Sequence, residues 1–554
     1  MCDGTVAAEG GLAGAPSACA RIRRVARALG KRSPSTLRIS LRERFVPYFA
    51  AILACWSLWV ALTWPGALRD DTLAQYLQSS DIHNYYTQHP LFDTLIFGLF
   101  WHLGDALGSP LTGLGLYTAT QVVLLAAGCA LALCYIRKLG TPRWLLGIGL
   151  VYLSTSYVVV GATTTMSKDS LHTVFFLPMA VIFVEAALTR GEVLRRTPVA
   201  CWFALLVFGS VASKRTALLI ALCSGICLVL ACRKGRRLRA AICILVGILV
   251  AQCVFAPLAA SLTHANRSPS REVWGYITQP IAQIAHDNPS AISPSQRKTL
   301  NKIMDLDEAA ANIRATRTNE TFQTLRTDPA PSANEKLAAL KVWAELGVRH
   351  PGEYWKAYSG PIRGWWDPRV NFSYPTDADY LFSPGYLRQW SSYLTAPQYS
   401  GDSEEAKERS LAQITRDLSP LMGTSNKPQW KKSALNHVRT WVRTDNPLTS
   451  MALYVTWIPL LTIVSLAAQA ALRALRRRRG VAGDAGEGDA VEGERRGMWP
   501  LFAAASLLVF TVLSLYASPE ALFWYPIPVY FCLPLFTALP FVRAGDEIKR
   551  QPAK

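Results

Sequence analysis

Two acidic residues follow the first long apolar run and are the first candidates for chemistry. In the segment 65–78, PGALRDDTLAQYLQ, Asp70 and Asp71 stand a few residues beyond the run 46–64. A short helix there would put Asp71 and Gln75 on one face, with its apolar residues toward lipid. A carboxylate held beside a membrane can act as general base on a hydroxyl group. The alternative is an acidic pair that caps the helix in water.

Cationic side chains stand in two short turns that we place on the same side of the membrane. The first turn, TTTMSKDS, carries Lys168 and Asp169, and the second, Ser213 to Thr216, carries Lys214 and Arg215. Positive charge is disfavoured in outer turns, so a phosphate ligand would explain these cations. The alternative is that Lys168 only pairs with Asp169 and that Lys214 reaches to the membrane interface.

The composition indicates a polytopic membrane protein. The chain has 554 residues, of which 51% are hydrophobic and 17% charged, and its mean hydropathy is +0.17. Nearly charge-free runs recur, each long enough to cross about 30 Å of hydrocarbon. Much of the net charge of +20 lies between these runs, where it sets membrane orientation. We therefore expect the lipid bilayer, and no nucleic acid, as a partner.

Ten transmembrane helices are predicted, with both termini in the cytoplasm. They are 46–64, 111–136, 144–162, 171–188, 198–213, 216–232, 240–262, 448–472, 498–516 and 523–542. If the shorter apolar stretch 90–104 crossed the membrane, the arginine clusters between the later spans would lie outside the cytoplasm, where positive charge is disfavoured. The stretch also begins at His89-Pro90 and contains Asp93 and His102. We predict that it lies along the outer membrane face.

This topology divides the chain into segments of distinct character. The large outer domain is expected to be mostly helical, with a capping start at Ser332. The predicted segments are a basic cytoplasmic tail 1–45, a membrane module 46–262 with first outer loop 65–110, an extracytoplasmic domain 263–447, a second membrane module 448–542 with a flexible acidic and Gly-rich cytoplasmic linker 480–497, and a cytoplasmic tail 543–554.

The order of these features resembles the GT-C type integral membrane glycosyltransferases. The matching residues are Asp70-Asp71 followed by Gln75, and then His89-Pro90-Leu91 at the start of a juxtamembrane helix. The resemblance implies an all-α GT-C-like bundle and a hexosyl- or pentosyltransferase of the bacterial cell membrane. It implies a polyprenyl-phosphate-linked sugar as donor and an extracytoplasmic glycan or protein as acceptor, with no cofactor required.

Two shorter motifs resemble an uncharacterised bacterial branch of that group. They are Ser167-Lys168-Asp169 and the segment His350 to Trp355, HPGEYW. One departure concerns the last outer loop, where many relatives carry an arginine near the carrier phosphate. This chain has Ser518-Pro519-Glu520 and then Phe523 to Pro526, with no arginine. The phosphate contact would fall to Lys168, Lys214 or Arg215, or else activity is lost.

The hypothesis from these residues is an inverting sugar transfer with Asp71, or less favourably Asp70, as general base. Cations would neutralise the charge that grows on the leaving phosphate. The predicted substrate-binding residues are Gln75, His89, Lys168, Asp169, Lys214, Arg215 and Tyr525.

No metal site is predicted, although the acidic residues of the first outer loop could hold a divalent cation together with Asp81 and His83. The alternatives are a polysaccharide polymerase or ligase, a lipid-linked saccharide transporter and a non-catalytic envelope scaffold. No repeats are visible, and the spans are mostly free of charge apart from Glu185, near a predicted cytoplasmic end; both observations weaken the transporter.

Overall fold

The computed structural model describes most of the chain, and its described part is helical. The described residues are 44–268, 271–327, 329–370, 385–387, 404–418, 427–443, 447–480 and 488–542. Within those ranges the only β structure is a set of isolated bridges. The predicted tails 1–45 and 543–554 lie almost entirely outside them.

The first membrane module consists of eleven helices. They are α1 Phe45–Thr63, α2 Asp70–Ser79, α3 Leu91–Ala106, α4 Pro110–Lys138, α5 Arg143–Thr155, α6 Tyr157–Thr163, α7 Lys168–Leu188, α8 Thr197–Ser213, α9 Ala217–Ala231, α10 Lys234–Leu249 and α11 Ala256–Leu262. A π-helical turn, Val250–Phe255, joins the last two.

In the described part of the chain, six helical segments are long and apolar enough to cross a membrane. They are Phe45–Thr63, Pro110–Lys138, Lys168–Leu188, Lys234–Leu262, Leu453–Leu472 and Met498–Tyr516. A seventh is added if α5 and α6, bent by 46° at their junction, form one broken span. The other three predicted spans coincide with shorter apolar helices, namely α8, α9 and Ile527–Phe541. In length and composition these are the helices of a multi-pass membrane protein.

Helix α3 corresponds to the ambiguous stretch 90–104. Among the described helices, it is not one of the six that are long and apolar enough to cross a membrane. It packs against α2 and α4. The contact with α4 is close because Gly113 has no side chain: a Cβ there would lie 1.9 Å from the carbonyl oxygen of Phe100. Glycine is therefore what lets the two backbones touch.

The apolar residues of α2 do not face lipid, so that prediction was wrong. Leu73, Tyr76 and Leu77 are buried, and the Tyr76 ring meets Trp101 of α3 edge-on at 5.0 Å between centroids. Leu387 of the outer domain belongs to the same cluster. An apolar helix face can be buried against either lipid or protein. The amphipathic pattern of α2 alone therefore did not show which of the two covers it. Helix α2 is therefore enclosed by protein.

The outer domain is helical where it is described. Its helices are α12 Gly275–Asp287, α13 Pro294–Leu300, α14 Leu306–Asn312, α15 Asn319–Gln323, α16 Ala333–Arg349, α17 Pro351–Ser359, α18 Arg363–Trp366, α19 Glu404–Leu418 and α20 Gln429–Arg443. The predicted capping start is confirmed: Ser332 Oγ accepts from Glu335 N at 3.3 Å, and Glu335 Oε2 accepts from Ser332 N at 3.0 Å.

The second membrane module holds a π-helical turn and three helices. They are Leu453–Trp457 and then α21 Ile458–Gly480, α22 Gly488–Tyr516 and α23 Ile527–Thr537. Most of the predicted linker 480–497 is helical, because α22 begins at Gly488. Once the apolar part of α22 is helical, adding residues to its end requires no new nucleus. Residues 481–487 lie outside the described part of the chain.

Candidate functional site

The segment between α1 and α2 is hydrogen-bonded to the turn between α6 and α7. Ala67 N donates to Thr164 O at 2.9 Å, and Met166 N donates to Ala67 O at 3.1 Å. The hydroxyl of Thr72 also donates to Met166 O. The Gln121 side chain of α4 also donates to the carbonyl oxygens of Thr163 and Thr165, at 2.8 and 2.9 Å. These contacts fix the beginnings of α2 and α7 side by side.

Asp71, in the first turn of α2, lies at the centre of the resulting site. Its Oδ1 accepts from Lys168 Nζ at 3.0 Å, and His89 Nδ1 lies 3.5 Å from the same oxygen. The other oxygen, Oδ2, is buried and has no hydrogen-bond partner among the described residues. The residue as a whole is 8% exposed. One oxygen is therefore engaged while the other is left to a ligand.

Electrostatics keep Asp71 ionised and His89 neutral. Burial alone would raise the pKa of Asp71, but the Lys168 ammonium group leads the opposing charges and holds the pKa below its usual value. The pKa of His89 falls to about 4, first because of burial and then because of the Lys168 charge. At neutral pH the site thus holds a carboxylate beside a neutral imidazole.

A second ion pair joins three parts of the chain. Lys214, in the turn between α8 and α9, donates to Asp169 Oδ1 and to the carbonyl oxygen of Tyr525 at 3.0 Å. Its ammonium group also lies 5.9 Å from the centroid of the Tyr525 ring. Asp169 is fully buried, and its Oδ2 has no hydrogen-bond partner within the described ranges. Lys214 therefore connects the start of α7 to the last outer loop.

The remaining predicted residues lie at the edge of this cluster. Arg215 is exposed and donates to the carbonyl oxygen of Thr87, two residues before His89. Asp70 accepts from the Tyr386 hydroxyl of the outer domain. Gln75 is buried, and its Oε1 has no partner in the described part of the structure. The structure brings together Asp71, His89, Lys168, Asp169, Lys214 and Tyr525.

Asp93 is a member of the site that the sequence analysis missed. It stands in the first turn of α3 and is 1% exposed, and neither carboxyl oxygen has a hydrogen-bond partner among the described residues. Burial raises its pKa well above the usual value, against the opposing charge of Lys168. Burial therefore favours the protonated form of Asp93, which can donate a hydrogen bond. The available signal was a lone acid within an apolar run just after His89-Pro90.

The last outer loop meets cations from elsewhere in the chain. Thr318 N of the outer domain donates to Pro519 O at 3.2 Å, and Arg317 forms a backbone bridge with Glu520. Burial raises the pKa of Glu520 to about 7, although the Arg317 charge opposes this. The loop lacks an arginine of its own, but Lys214 and Arg317 bring positive charge to it.

The site offers a carboxylate oxygen that can accept a proton, a second carboxyl group whose protonated form burial favours, and two ammonium groups. Such a set can bind an anion and remove a proton from a hydroxyl group. Within the described ranges there is no group of three or more His, Cys, Asp or Glu side chains that could hold a metal ion.

A model of one protein family, described as a family of unknown function (DUF6020), matches residues 72–482. The match includes His89, Asp93, Lys168 and Lys214 and begins one residue after Asp71. None of the curated proteins matches the chain, and none of the solved structures does.

Proposed function

The chain belongs to DUF6020, a family of unknown function, and we propose from its site that it is an integral membrane glycosyltransferase. It would move a sugar from a polyprenyl-phosphate donor to a hydroxyl group of an extracytoplasmic glycan or protein. One observation carries the proposal: Asp71 Oδ1 is paired with Lys168, whereas Oδ2 is buried without a hydrogen-bond partner among the described residues.

The proposed orientation places this site outside the cytoplasm. Helix α7 has 21 residues and spans about 30 Å at 1.5 Å per residue. Lys168 and Asp169 begin it, whereas Glu185 near its other end pairs with Lys138 at 3.0 Å. Basic residues concentrate at that second end, which favours it as the cytoplasmic one. We therefore propose ten spans, cytoplasmic termini and an extracytoplasmic domain 263–447.

Asp71 would act as the general base. The acceptor oxygen attacks C1 of the sugar while the bond from C1 to the phosphate oxygen breaks, and the configuration at C1 inverts. The acceptor proton passes to Asp71 Oδ2, and the leaving lipid phosphate keeps the electron pair. That leaving group is a stable anion, so it needs neutralisation by cations rather than a proton.

The Lys168–Asp71 ion pair would couple donor binding to base strength. While Lys168 is 3.0 Å from Asp71, the carboxylate is a weak base because its pKa is lowered. An arriving phosphate attracts the same ammonium group, and Asp71 then becomes a stronger base. Donor binding would thus activate the residue that the reaction needs.

Lys214 would supply the second cation of the phosphate site. Its contact with Tyr525 brings an ammonium group to the loop in which many of the GT-C enzymes carry an arginine. Arg215 would extend the cationic surface at the rim, and Asp93 in its protonated form would donate a hydrogen bond to a phosphate or sugar oxygen.

The test is donor turnover by the purified protein in proteoliposomes. Labelled polyprenyl-phosphate hexoses and pentoses are supplied together with extracted envelope glycans and proteins, and released polyprenyl phosphate is measured. Asp71→Asn should lower the rate at least about 100-fold, because it removes the base. Asp105→Asn, which changes an exposed acid on α3, is the matched control and should retain the wild-type rate.

Two results would count against the proposal. Wild-type rates in Asp71→Asn would remove Asp71 as the base. Absence of turnover by the wild type with every donor and acceptor would refute the transferase itself.

A further inference from the structure

A cavity of about 180 Å³ lies between the outer domain and the last outer loop. Helices α12 and α17 form one wall through Tyr276 and Tyr358. Tyr516, at the end of α22, and Pro519 form the other. At roughly 30 Å³ per water molecule the space equals about six waters. It suits one small ring rather than an extended chain of sugars.

The aromatic wall is held in place by its own contacts. The rings of Tyr276 and Tyr358 lie 6.5 Å apart between centroids, and the Tyr358 hydroxyl donates to Tyr276 O at 2.7 Å. Tyr354 packs edge-on against Tyr358 at 6.0 Å. Fixed aromatic faces have negative π surfaces that attract the C–H groups on the face of a sugar ring. The wall therefore favours a ring that is apolar on its faces and polar around its edge.

Polar groups border the same cavity. Thr318 is 8% exposed, and its Oγ1 is buried without a hydrogen-bond partner in the part of the chain that the structure describes. A buried hydroxyl of this kind requires an explanation, which a ligand would supply. Glu272 and Ser518 also line the cavity, and the Ser518 hydroxyl donates to the carbonyl oxygen of Glu520 at 2.9 Å. These groups suit the hydroxyl rim of a sugar better than a hydrocarbon chain.

The cavity adjoins the candidate site through the last outer loop. Pro519 in its wall accepts the backbone hydrogen bond from Thr318. The next residue, Glu520, lies close enough to Asp70 for that charge to raise its pKa. Asp70 directly precedes Asp71, the proposed base. The last outer loop therefore links the cavity to the segment that carries Asp71.

We propose that this cavity binds one sugar ring of the acceptor glycan, next to the ring that receives the transferred sugar. The inference rests on the proposed function for its role in transfer. Binding of the ring itself depends only on the cavity. Its walls come from the outer domain and the last outer loop, so the acceptor would bridge the two.

The test is saturation-transfer NMR on the full-length protein in lauryldimethylamine oxide, a detergent without a sugar group. The probes are methyl α-D-mannopyranoside, methyl β-D-galactopyranoside and methyl β-D-xylopyranoside. At least one should bind the wild type. Thr318→Val removes the hydroxyl and keeps the shape, and should weaken binding about tenfold, as for one lost hydrogen bond. Thr318→Ser restores a hydroxyl and should bind nearly as the wild type does.

A second pair of variants addresses the aromatic wall. Tyr276→Leu should weaken glycoside binding, whereas Tyr276→Phe keeps the ring and should not. Binding of no glycoside to the wild type, equal binding in all four variants, or a preference for 1-octanol over the glycosides would each overturn the proposal.

Turnover separates this inference from the proposed function. If Thr318→Val loses glycoside binding while Asp71→Asn retains transfer, the cavity stands and the catalytic assignment fails. If Asp71→Asn abolishes transfer while the cavity variants bind glycoside normally, the catalytic assignment stands and the cavity proposal fails.

Discussion

Replacing Lys168 by methionine should destabilise the protein at neutral pH, and the loss should shrink in acid. Methionine occupies a similar length of space, so the main change is the loss of charge. Lys168 Nζ and Asp71 Oδ1 are 3.0 Å apart. At an effective dielectric constant of about 20, their attraction is about 5–6 kcal/mol. Removing one partner of a buried pair costs about 3–5 kcal/mol.

The pH dependence follows from the direction of the pKa shift. In the wild type the pKa of Asp71 is lowered. Its contribution to stability is therefore present above the unfolded value and lost as the pH falls through the folded one. Without Lys168, burial dominates and raises the folded pKa. The contribution of Asp71 is then present below the unfolded value and lost as the pH rises through the folded one. The two proteins should differ most near neutrality and least in acid.

The assay is unfolding in mixed detergent and dodecyl sulfate micelles, followed by tryptophan fluorescence from about pH 4.5 to 8. The double variant Lys168→Met/Asp71→Asn removes both charges and should recover most of the stability lost in Lys168→Met. A loss that is the same at every pH would refute the reasoning. So would a double variant that is no more stable than Lys168→Met.

Three further changes test other parts of the structure. Arg215→Ala should raise the KM for the lipid donor about tenfold more than it raises the KM for the acceptor, which corresponds to one lost charge-assisted hydrogen bond. Equal changes in the two KM values would exclude a phosphate-binding role for Arg215. Glu520→Gln should flatten the pH dependence of the unfolding free energy between about pH 5 and 8. The folded pKa of Glu520 is raised to about 7, so the stability that this group contributes is lost as the pH rises through that value. An unchanged pH dependence would contradict this. Gly113→Ala should cost about 1–3 kcal/mol of unfolding free energy, because its Cβ would lie 1.9 Å from Phe100 O; full stability would contradict the close contact of α3 with α4.

The positions of the apolar helices could be predicted from the apolar runs in the sequence, because a membrane-spanning helix must be apolar along most of its length. The sequence did not show that α5 and α6 bend at Ser156. Nor did it show that Leu73 and Tyr76 of α2 are covered by protein. These features depend on neighbouring helices that are far away in the chain.

Much of the candidate site could be predicted because its charges stand out against apolar surroundings. Asp71 and Lys168 were both selected as outer-loop charges, and the structure places them 3.0 Å apart. Asp93 was missed because no partner for it is visible in the sequence, and its protonation depends on burial. The contact between Lys214 and the last outer loop was also missed, since 311 residues separate Lys214 from Tyr525.

The most direct measurement is an electron cryomicroscopy structure of the protein with a bound polyprenyl phosphate. We expect the phosphate within hydrogen-bonding distance of Lys168 and Lys214, with the Lys168–Asp71 distance longer than 3.0 Å and Asp71 Oδ2 facing the acceptor side. A phosphate bound elsewhere, with Lys168 still paired to Asp71, would contradict it.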